Sequence, residues 1–200
     1  MKRVQPLGNV YDKYHTKNPI ARRLVSGFLK QMEELLQRLA PRKVLDLGCG
    51  EGVVTERLVK QFPEALVIGA DVDFDFLRGV EGRGGARRVV NALPDVCFTA
   101  ESFDLVVLAE VLEHLESPER SLDAVRRISS GHVFVSVPHE PVWRVCNVLR
   151  LQYLRDFGNT PGHINHFSRR SFERLLSRYF SIEALATPFP WLMALCRVDG

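Results

Sequence analysis

The chain has 200 residues, a length that suits one domain with a full hydrophobic core. Its net charge of +3 and its ordinary apolar and charged fractions do not favour a nucleic-acid binder, although they leave that class open. No apolar run approaches the roughly 18 residues that a membrane span needs, so no membrane span is predicted.

The N-terminus and the cysteines bear on cellular location. The first residues lack the apolar core of a secretion signal. Cys49, Cys97, Cys146 and Cys196 are scattered without paired spacing, which argues against a disulfide frame or a zinc knot. Their apolar neighbours favour buried thiols, so we expect a cytoplasmic protein. Monomer and homodimer both remain open.

The N-terminal segment, residues 1–40, combines a polar, turn-rich tail with a predicted helix over about 20–39. Apolar residues recur on one face of this helix, and Pro41 is predicted to end it.

Strands and helices alternate over residues 41–200. Strands are predicted at 43–47, 66–71, 87–90, 103–109, 132–137, 180–186 and 192–198. Helices are predicted at 52–61, 74–79, 142–157 and 169–179, and one more begins at a capping Ser117 and ends at Gly131. This alternation predicts an α/β protein with a doubly wound sheet and helices on both faces.

The stretch at residues 44–52, VLDLGCGEG, has the pattern of a buried strand, a glycine turn and a helix start. Glycines let the backbone come close to a ligand, but the order G-x-G-x-G differs from the G-x-G-x-x-G of a dinucleotide site. Asp46 precedes the first glycine and suits a cationic ligand group better than a phosphate. Asp71 ends the next strand, about 20 residues past Gly50. This is the sequence separation at which an acid in a nucleotide-binding fold accepts a hydrogen bond from a ribose hydroxyl. The pair predicts a nucleoside site without phosphate.

Three segments, VLDLGCGEG, VIGADVD and FDLVVLAEVLEHL, occur in an order that resembles the class I S-adenosylmethionine-dependent methyltransferases with the Rossmann-like fold, in the methyltransferase type 11/12/23 group. The resemblance covers roughly residues 10 to 198. It implies a seven-stranded, mostly parallel sheet whose last strand is antiparallel. It also implies that residues 1–40 pack over the cofactor as a lid, with Tyr11 or Tyr14 lining it; a plain packing helix with a loose tail is the alternative.

The resemblance further implies a set of cofactor-binding residues. They are Asp46, Gly48, Cys49, Gly50, Asp71, Val72, Asn91, Ala92, Ala109 and Glu110. Asn91 departs from the pattern, because the family usually has an acid there to face the adenine amino group. Its side-chain oxygen can still accept that hydrogen bond.

Methyl transfer from a sulfonium needs alignment of the acceptor rather than a covalent nucleophile. A general base is useful if the acceptor is a hydroxyl. His114 and His139 follow the fourth and fifth strands, at the sheet edge where ligands bind, and are the predicted catalytic residues. A structural His114 that bonds backbone and a solvated His139 are the alternatives.

Glu110, Glu113 and His114, with His163 or His166, also resemble the metal-binding pattern of small-RNA 2′-O-methyltransferases of the Hen1 type. The favoured interpretation has no metal: Glu110 faces the cofactor and Glu113 faces solvent.

Residues 138–167 form an insertion that is predicted to cap the acceptor site. Arginines in and just after this segment would favour an acidic or phosphorylated acceptor; they are Arg144, Arg150, Arg155, Arg169 and Arg170. Apolar side chains of the same segment would instead favour a lipid-like or aromatic acceptor; they are Trp143, Leu149, Leu154 and Phe157. The prediction is a methyltransferase for a small-molecule or lipid-like acceptor, with O-, C- and N-methylation open. A metal-dependent RNA 2′-O-methyltransferase and a non-catalytic S-adenosylmethionine-binding partner protein are the alternatives.

Overall fold

The computed structural model describes residues 18–73, 86–144, 159–160 and 162–199. The helices in these ranges are α1 (Pro19–Leu36), α2 (Val53–Gln61), α3 (Pro118–Ile128) and α4 (Arg169–Leu176). The strands are β1 (Lys43–Leu47), β2 (Leu66–Asp71), β3 (Arg87–Val90), β4 (Phe103–Ala109), β5 (Ser129–Pro138), β6 (Ser181–Ala186) and β7 (Trp191–Arg197). A short 3₁₀ helix, Leu112–His114, follows β4.

All of these strands belong to one sheet in the order β3-β2-β1-β4-β5-β7-β6. Neighbours from β3 to β5 are parallel, whereas β7 is antiparallel to both β5 and β6. The predicted doubly wound, mostly parallel sheet with an antiparallel last strand is therefore confirmed. The chain builds outward from β1 to β3 and then returns to the other side of β1 with β4. This reversal creates the crevice at the carboxyl ends of β1 and β4 where ligands bind in such sheets.

Helices cover both faces of the sheet because each face carries its own apolar cluster. Phe28 and Met32 of α1 and Leu58 of α2 pack on one face with Trp191 of β7. Side chains of α3 and α4 pack on the other face: Leu122, Val125, Ile128, Phe172, Leu175 and Leu176. Strands β1, β4 and β5 are nearly continuous runs of buried residues, as expected for strands that have helices on both faces of the sheet.

Some predicted element ends were wrong. The first helix ends at Leu36, before Pro41. Gly131 does not end α3: the helix ends at Ile128, where the Ser129 hydroxyl donates to the Val125 carbonyl oxygen at 2.8 Å and Ser129 pairs with Phe103 in the sheet. The chain thus enters β5 at once.

Helix caps also differ from one another. Ser117 makes no side-chain capping bond, so its predicted role was wrong, and Pro118 alone marks the first turn of α3. Ser168, by contrast, forms a capping box with Ser171 at the start of α4.

Several predictions lie outside the described residues. They are Tyr11 and Tyr14 of the lid, the helix at 74–79, most of the helix at 142–157, and Cys146. Of the other cysteines, Cys49 and Cys196 are buried as predicted, but Cys97 is exposed. Within the described ranges, no helix is both long enough and apolar enough to cross a membrane.

Candidate active site

The glycine turn after β1 folds back on the end of β2. The N–H groups of Gly48 and Cys49 both donate to the Ala70 carbonyl oxygen, at 2.7 and 3.0 Å. Gly48 has φ +81°, and a Cβ there would come within 2.6 Å of the Val111 side chain. Gly50 also has a positive φ of +50°, but a Cβ there would meet no atom within 4 Å. The turn is therefore closed by protein at Gly48 and open at Gly50, where a ligand can reach the backbone.

Asp71 lies directly beside this opening. Its Oδ2 accepts a hydrogen bond from the Gly50 N–H at 2.8 Å, and its Oδ1 accepts one from the Asp73 N–H at 3.0 Å. Each carboxylate oxygen has a second lone pair, so both can also accept from a ligand's hydroxyl groups. The side chain predicted to take a ribose is thus oriented by the turn itself.

Asp46 lies beneath the turn rather than in the opening. Only 1% of the residue is exposed, and its Oδ2 accepts a 2.6 Å hydrogen bond from the Thr55 hydroxyl of α2. Burial raises the pKa of Asp46 to about 7, the Thr55 hydrogen bond opposes the rise, and the negative charge of Asp71 adds to it. A cation bound nearby would favour the ionised form. Direct contact of Asp46 with a cofactor stays a prediction.

Asn91 follows β3 and is held in place from two sides. Its N–H donates to the Asp71 carbonyl oxygen at 2.9 Å, and its Nδ2 lies 2.9 Å from the Cys97 sulfur. Only 7% of the residue is exposed, and among the described residues its Oδ1 is buried without a hydrogen-bond donor. Because buried acceptors are nearly always paired, this oxygen is an open place for a ligand's N–H. The departure from an acid therefore leaves an acceptor at the expected position.

The other residues predicted to contact the cofactor differ in their burial and packing. Val72 and Ala92 are exposed next to Asp71 and Asn91. The Cys49 side chain packs on Gly69 of β2, where burial raises the pKa of its thiol. Ala109 is partly buried against the α1 side of the core. These contacts remain predictions.

Glu110 directly follows β4 and has a strained backbone conformation, with φ +61°. Its N–H donates to the carbonyl and hydroxyl oxygens of Ser136 in β5, at 3.1 and 3.2 Å. Its Oε2 accepts a 2.7 Å hydrogen bond from the Trp191 indole N–H. The carboxylate is thus engaged with β7. Trp191 in turn packs against Phe28 of α1 and Trp143, with ring centroids 5.1 and 5.7 Å away.

Three further side chains meet just past β4. Glu113, His114 and His163 each offer one ligand atom, and these atoms lie within 4.8 Å of one another. Glu113 is 1% exposed, so the expectation that it faces solvent was wrong. The reason is that residues 162–167 cover it: the N–H groups of Ile164 and Asn165 donate to its carbonyl oxygen at 2.9 and 3.0 Å.

Asn165 holds these two segments together and was missed by the sequence analysis. Its Nδ2 donates to the carbonyl oxygens of Leu112 and Leu115, at 3.1 and 2.6 Å. An asparagine between two histidines carries no sequence signal for such a role, because the partners are about 50 residues away.

His139 lies apart from this cluster, at the end of β5. Its N–H donates to the Pro190 carbonyl oxygen at 3.0 Å, and the residue bridges to Phe167. His166, the alternative to His163, pairs instead with Glu140 at 3.7 Å. Burial raises the pKa of Glu140, and His166 and Arg144 oppose that rise. Of the two histidines, the structure brings His163 to His114.

Known proteins match both the sequence and the fold. The family model of the methyltransferase domain matches residues 21–179. Malonyl-[acyl-carrier protein] O-methyltransferase of Legionella pneumophila is 26% identical over 78% of this chain and 55% of its own length. Ubiquinone biosynthesis O-methyltransferase of Methylococcus capsulatus is 32% identical over 61% of this chain and 51% of its own length. The chain thus spans about half the length of these curated relatives.

Among solved structures, magnesium protoporphyrin IX methyltransferase from Synechocystis has a TM-score of 0.68 at 16% identity. The match covers 94% of this chain and 91% of that protein, which shows a shared fold. The chain therefore belongs to the methyltransferase domain family, and the resemblance to S-adenosylmethionine-dependent methyltransferases in its sequence is confirmed.

Proposed function

We propose that this protein transfers the methyl group of S-adenosylmethionine to an oxygen atom of a small-molecule or lipid-like acceptor. The observation that carries the proposal is the arrangement of Gly50, Asp71 and Asn91 at the carboxyl edge of the sheet. It combines open space over a glycine, a carboxylate oriented by that glycine and a buried amide oxygen without a donor among the described residues.

This arrangement fits the cofactor group by group. The ribose offers two hydroxyl donors for Asp71, and the adenine offers an amino donor for the Asn91 Oδ1 atom. The molecule has no phosphate, in keeping with carboxylates beside the glycine turn instead of the anion site of a dinucleotide fold. When bound, it supplies a methyl group on a positively charged sulfur. Asp46 supports this assignment, because its buried carboxyl ionises more readily beside a positive charge and in that form would favour such a cation.

On the acceptor side, His114 is the proposed base in the metal-free protein. Its Nδ1 lies 2.9 Å from the Gly162 carbonyl oxygen, which can only accept, so Nδ1 carries the proton and Nε2 the lone pair. As the acceptor oxygen forms its bond to the methyl carbon and the carbon–sulfur bond breaks, the hydroxyl proton passes to Nε2. His139, at the end of the neighbouring strand, is the second proposed catalytic residue.

Residues 138–167 are the proposed cap over the acceptor. Trp143 belongs to this segment, and its indole N–H donates to the Thr160 hydroxyl at 2.9 Å. Its ring lies 6.2 Å from that of His163 and 5.7 Å from that of Trp191. These rings support an acceptor with a flat or apolar part. Relatives named as O-methyltransferases of malonyl-[acyl-carrier protein] and of ubiquinone biosynthesis support an oxygen acceptor.

The test has two stages. Calorimetry first measures binding of the demethylated product, S-adenosylhomocysteine, to the full chain. Deuterated S-adenosylmethionine is then offered with carboxylic acids, acyl-carrier thioesters, phenols and short RNA, and methylated products are identified by mass spectrometry. We expect cofactor binding and a labelled methyl ether or ester. Binding without transfer to any acceptor would favour a non-catalytic partner protein, and labelled RNA would favour the RNA methyltransferase.

A further inference from the structure

The cluster of Glu113, His114 and His163 has the composition of a metal site. It combines one carboxylate and two imidazoles from two segments of the chain, with ligand atoms within 4.8 Å of one another. The Glu113 residue is 1% exposed, His163 is 8% exposed and the His114 side chain is 15% exposed. Three protein ligands of this kind with an open position are typical of catalytic zinc centres, and the same donors suit iron.

The orientation of His114 matches that of a metal ligand. Its Nδ1–H donates to the Gly162 carbonyl oxygen, which leaves the Nε2 lone pair 3.9 Å from the Glu113 Oε1 atom. Metal-bound histidines almost always donate their second ring N–H to a carbonyl or carboxylate in this way, because that bond sets the tautomer and the ring direction. Gly162 has φ +89°, which favours glycine at this position.

Hydrogen bonds join the two backbone segments around the cluster. Glu113 accepts two backbone hydrogen bonds from residues 164–165 through its carbonyl oxygen, and Asn165 bonds both ends of the short 3₁₀ helix. The ring centroids of His114 and His163 lie 4.9 Å apart at a steep interplanar angle of 79°. Side chains that converge from such a frame need little rearrangement to bind an ion.

We propose that Glu113, His114 and His163 bind a divalent transition-metal ion of the Zn²⁺ class. The donor atoms now lie within 4.8 Å of one another, and ligands about 2.0–2.1 Å from a tetrahedral ion stand about 3.4 Å apart, so the widest pair would have to close by up to about 1.4 Å. Rotation of the side chains within their present segments can supply this change. The ion in turn stabilises a carboxylate that is costly to bury as a charge.

The role of the ion rests on the proposed function. The cluster follows β4 at the same edge of the sheet as the Asp71 opening, so an acceptor oxygen there could take the open coordination position. The ion would lower the pKa of a bound acceptor hydroxyl, so that its proton would pass to solvent water and the oxygen could attack the methyl carbon without a protein base. His114 would then act through the ion, whereas in the metal-free protein its Nε2 would take the proton directly.

Metal binding is tested on the full, untagged chain after treatment with a chelator. Co²⁺ is titrated while its visible absorption is recorded, and Zn²⁺ binding is measured by calorimetry. We expect one ion per chain with the absorption of a histidine-ligated, low-coordinate Co²⁺. The variants E113Q and H163A should weaken binding at least about tenfold, whereas the matched controls E116Q and H166A should leave it unchanged.

Lack of saturable binding to the wild-type chain, or binding that survives both E113Q and H163A, would overturn the proposal. Melting temperature and S-adenosylhomocysteine affinity are measured on every variant to confirm folding. If a ligand variant fails to fold, X-ray absorption of the zinc-loaded wild type identifies the ligands instead, because two imidazoles bound to zinc give a distinct scattering pattern. Absence of that pattern would overturn the proposal. If the wild-type chain binds the cofactor but no metal ion, only this inference fails. If the wild-type chain binds no cofactor, the proposed function fails.

Discussion

The Asp71 carboxylate accepts a hydrogen bond from the Gly50 backbone N–H at 2.8 Å, which ties the end of β2 to the turn after β1. The acid proposed to hold the ribose is therefore also part of the turn that opens over the cofactor. This contact makes Asp71 a structural residue of the turn as well as the proposed ribose-binding residue, and it sets what substitutions at the turn should do.

Replacing Asp71 with alanine should weaken S-adenosylhomocysteine binding by about 1.5–3 kcal/mol, since a charged hydrogen-bond partner of the ribose is lost. Calorimetry on the D71A variant measures this change. The D123A variant, which removes an exposed acid on α3, is the control. Equal affinity in D71A and the wild type would show that Asp71 does not contact the cofactor.

The two glycines of the turn should respond differently to alanine. At Gly48 the new Cβ would meet Val111 at 2.6 Å, so G48A should lower the free energy of unfolding by at least about 2 kcal/mol. At Gly50 there is open space, so G50A should cost only about 1 kcal/mol of backbone strain but should impair cofactor binding. Urea unfolding and calorimetry separate the effects. A G50A variant that binds the cofactor normally would contradict the placement of the ligand over this glycine.

Asn91 allows a test of adenine recognition. Leucine has a similar volume but no acceptor, so N91L should weaken S-adenosylhomocysteine binding by about 1–2 kcal/mol. The same change removes a buried oxygen that has no donor among the described residues, so the unliganded protein should lose little stability. Calorimetry and thermal unfolding provide the two readouts. A large fall in melting temperature with unchanged affinity would assign Asn91 a purely structural role.

Asp46 should make stability depend on pH. Burial raises the pKa of Asp46 from its ordinary value of 3.8 to about 7 in the folded protein, so between about pH 4 and 7 the folded state keeps a proton that the unfolded state has lost. The free energy of unfolding should therefore fall as pH rises through this window, by on the order of 2–4 kcal/mol.

The D46N variant isolates this contribution. Asparagine can still accept from Thr55 but carries no charge, so at pH 8 the variant should be more stable than the wild type and should bind the cofactor less tightly. Urea unfolding at pH 5 and pH 8 measures the difference. If both proteins showed the same pH dependence, the buried carboxyl would not be its source.

The framework of the candidate cofactor site could be predicted because its signals are local in the chain. The strand, the glycine turn and the following helix are contiguous, and Asp71 ends the next strand along. Parallel neighbours bring the ends of such strands together in any sheet of this class. The exact ends of helices were harder to predict. Helix α3 ends before Ser129 and not at Gly131, because the Ser129 hydroxyl bonds the last turn and the Ser129 backbone joins the sheet.

The acceptor side could be predicted only in part. The sequence singled out Glu113, His114 and two later histidines, but it did not choose between His163 and His166, and it placed Glu113 in solvent. The choice depends on how residues 162–167 dock on the loop after β4. That docking is made by backbone hydrogen bonds and by Asn165, and neither has a pattern that composition or periodicity reveals.

The sequence by itself determined the fold class and the family, and it predicted the nucleoside character of the cofactor site, because periodicity, glycine spacing and acid spacing are patterns of residues close together in the chain. Only the tertiary structure decided that Glu110 bonds Trp191, that Asp46 lies beneath the turn, and that Glu113, His114 and His163 converge. Those contacts join residues far apart in the chain, so their geometry exists only after the sheet has ordered its strands and the last segments have packed against them.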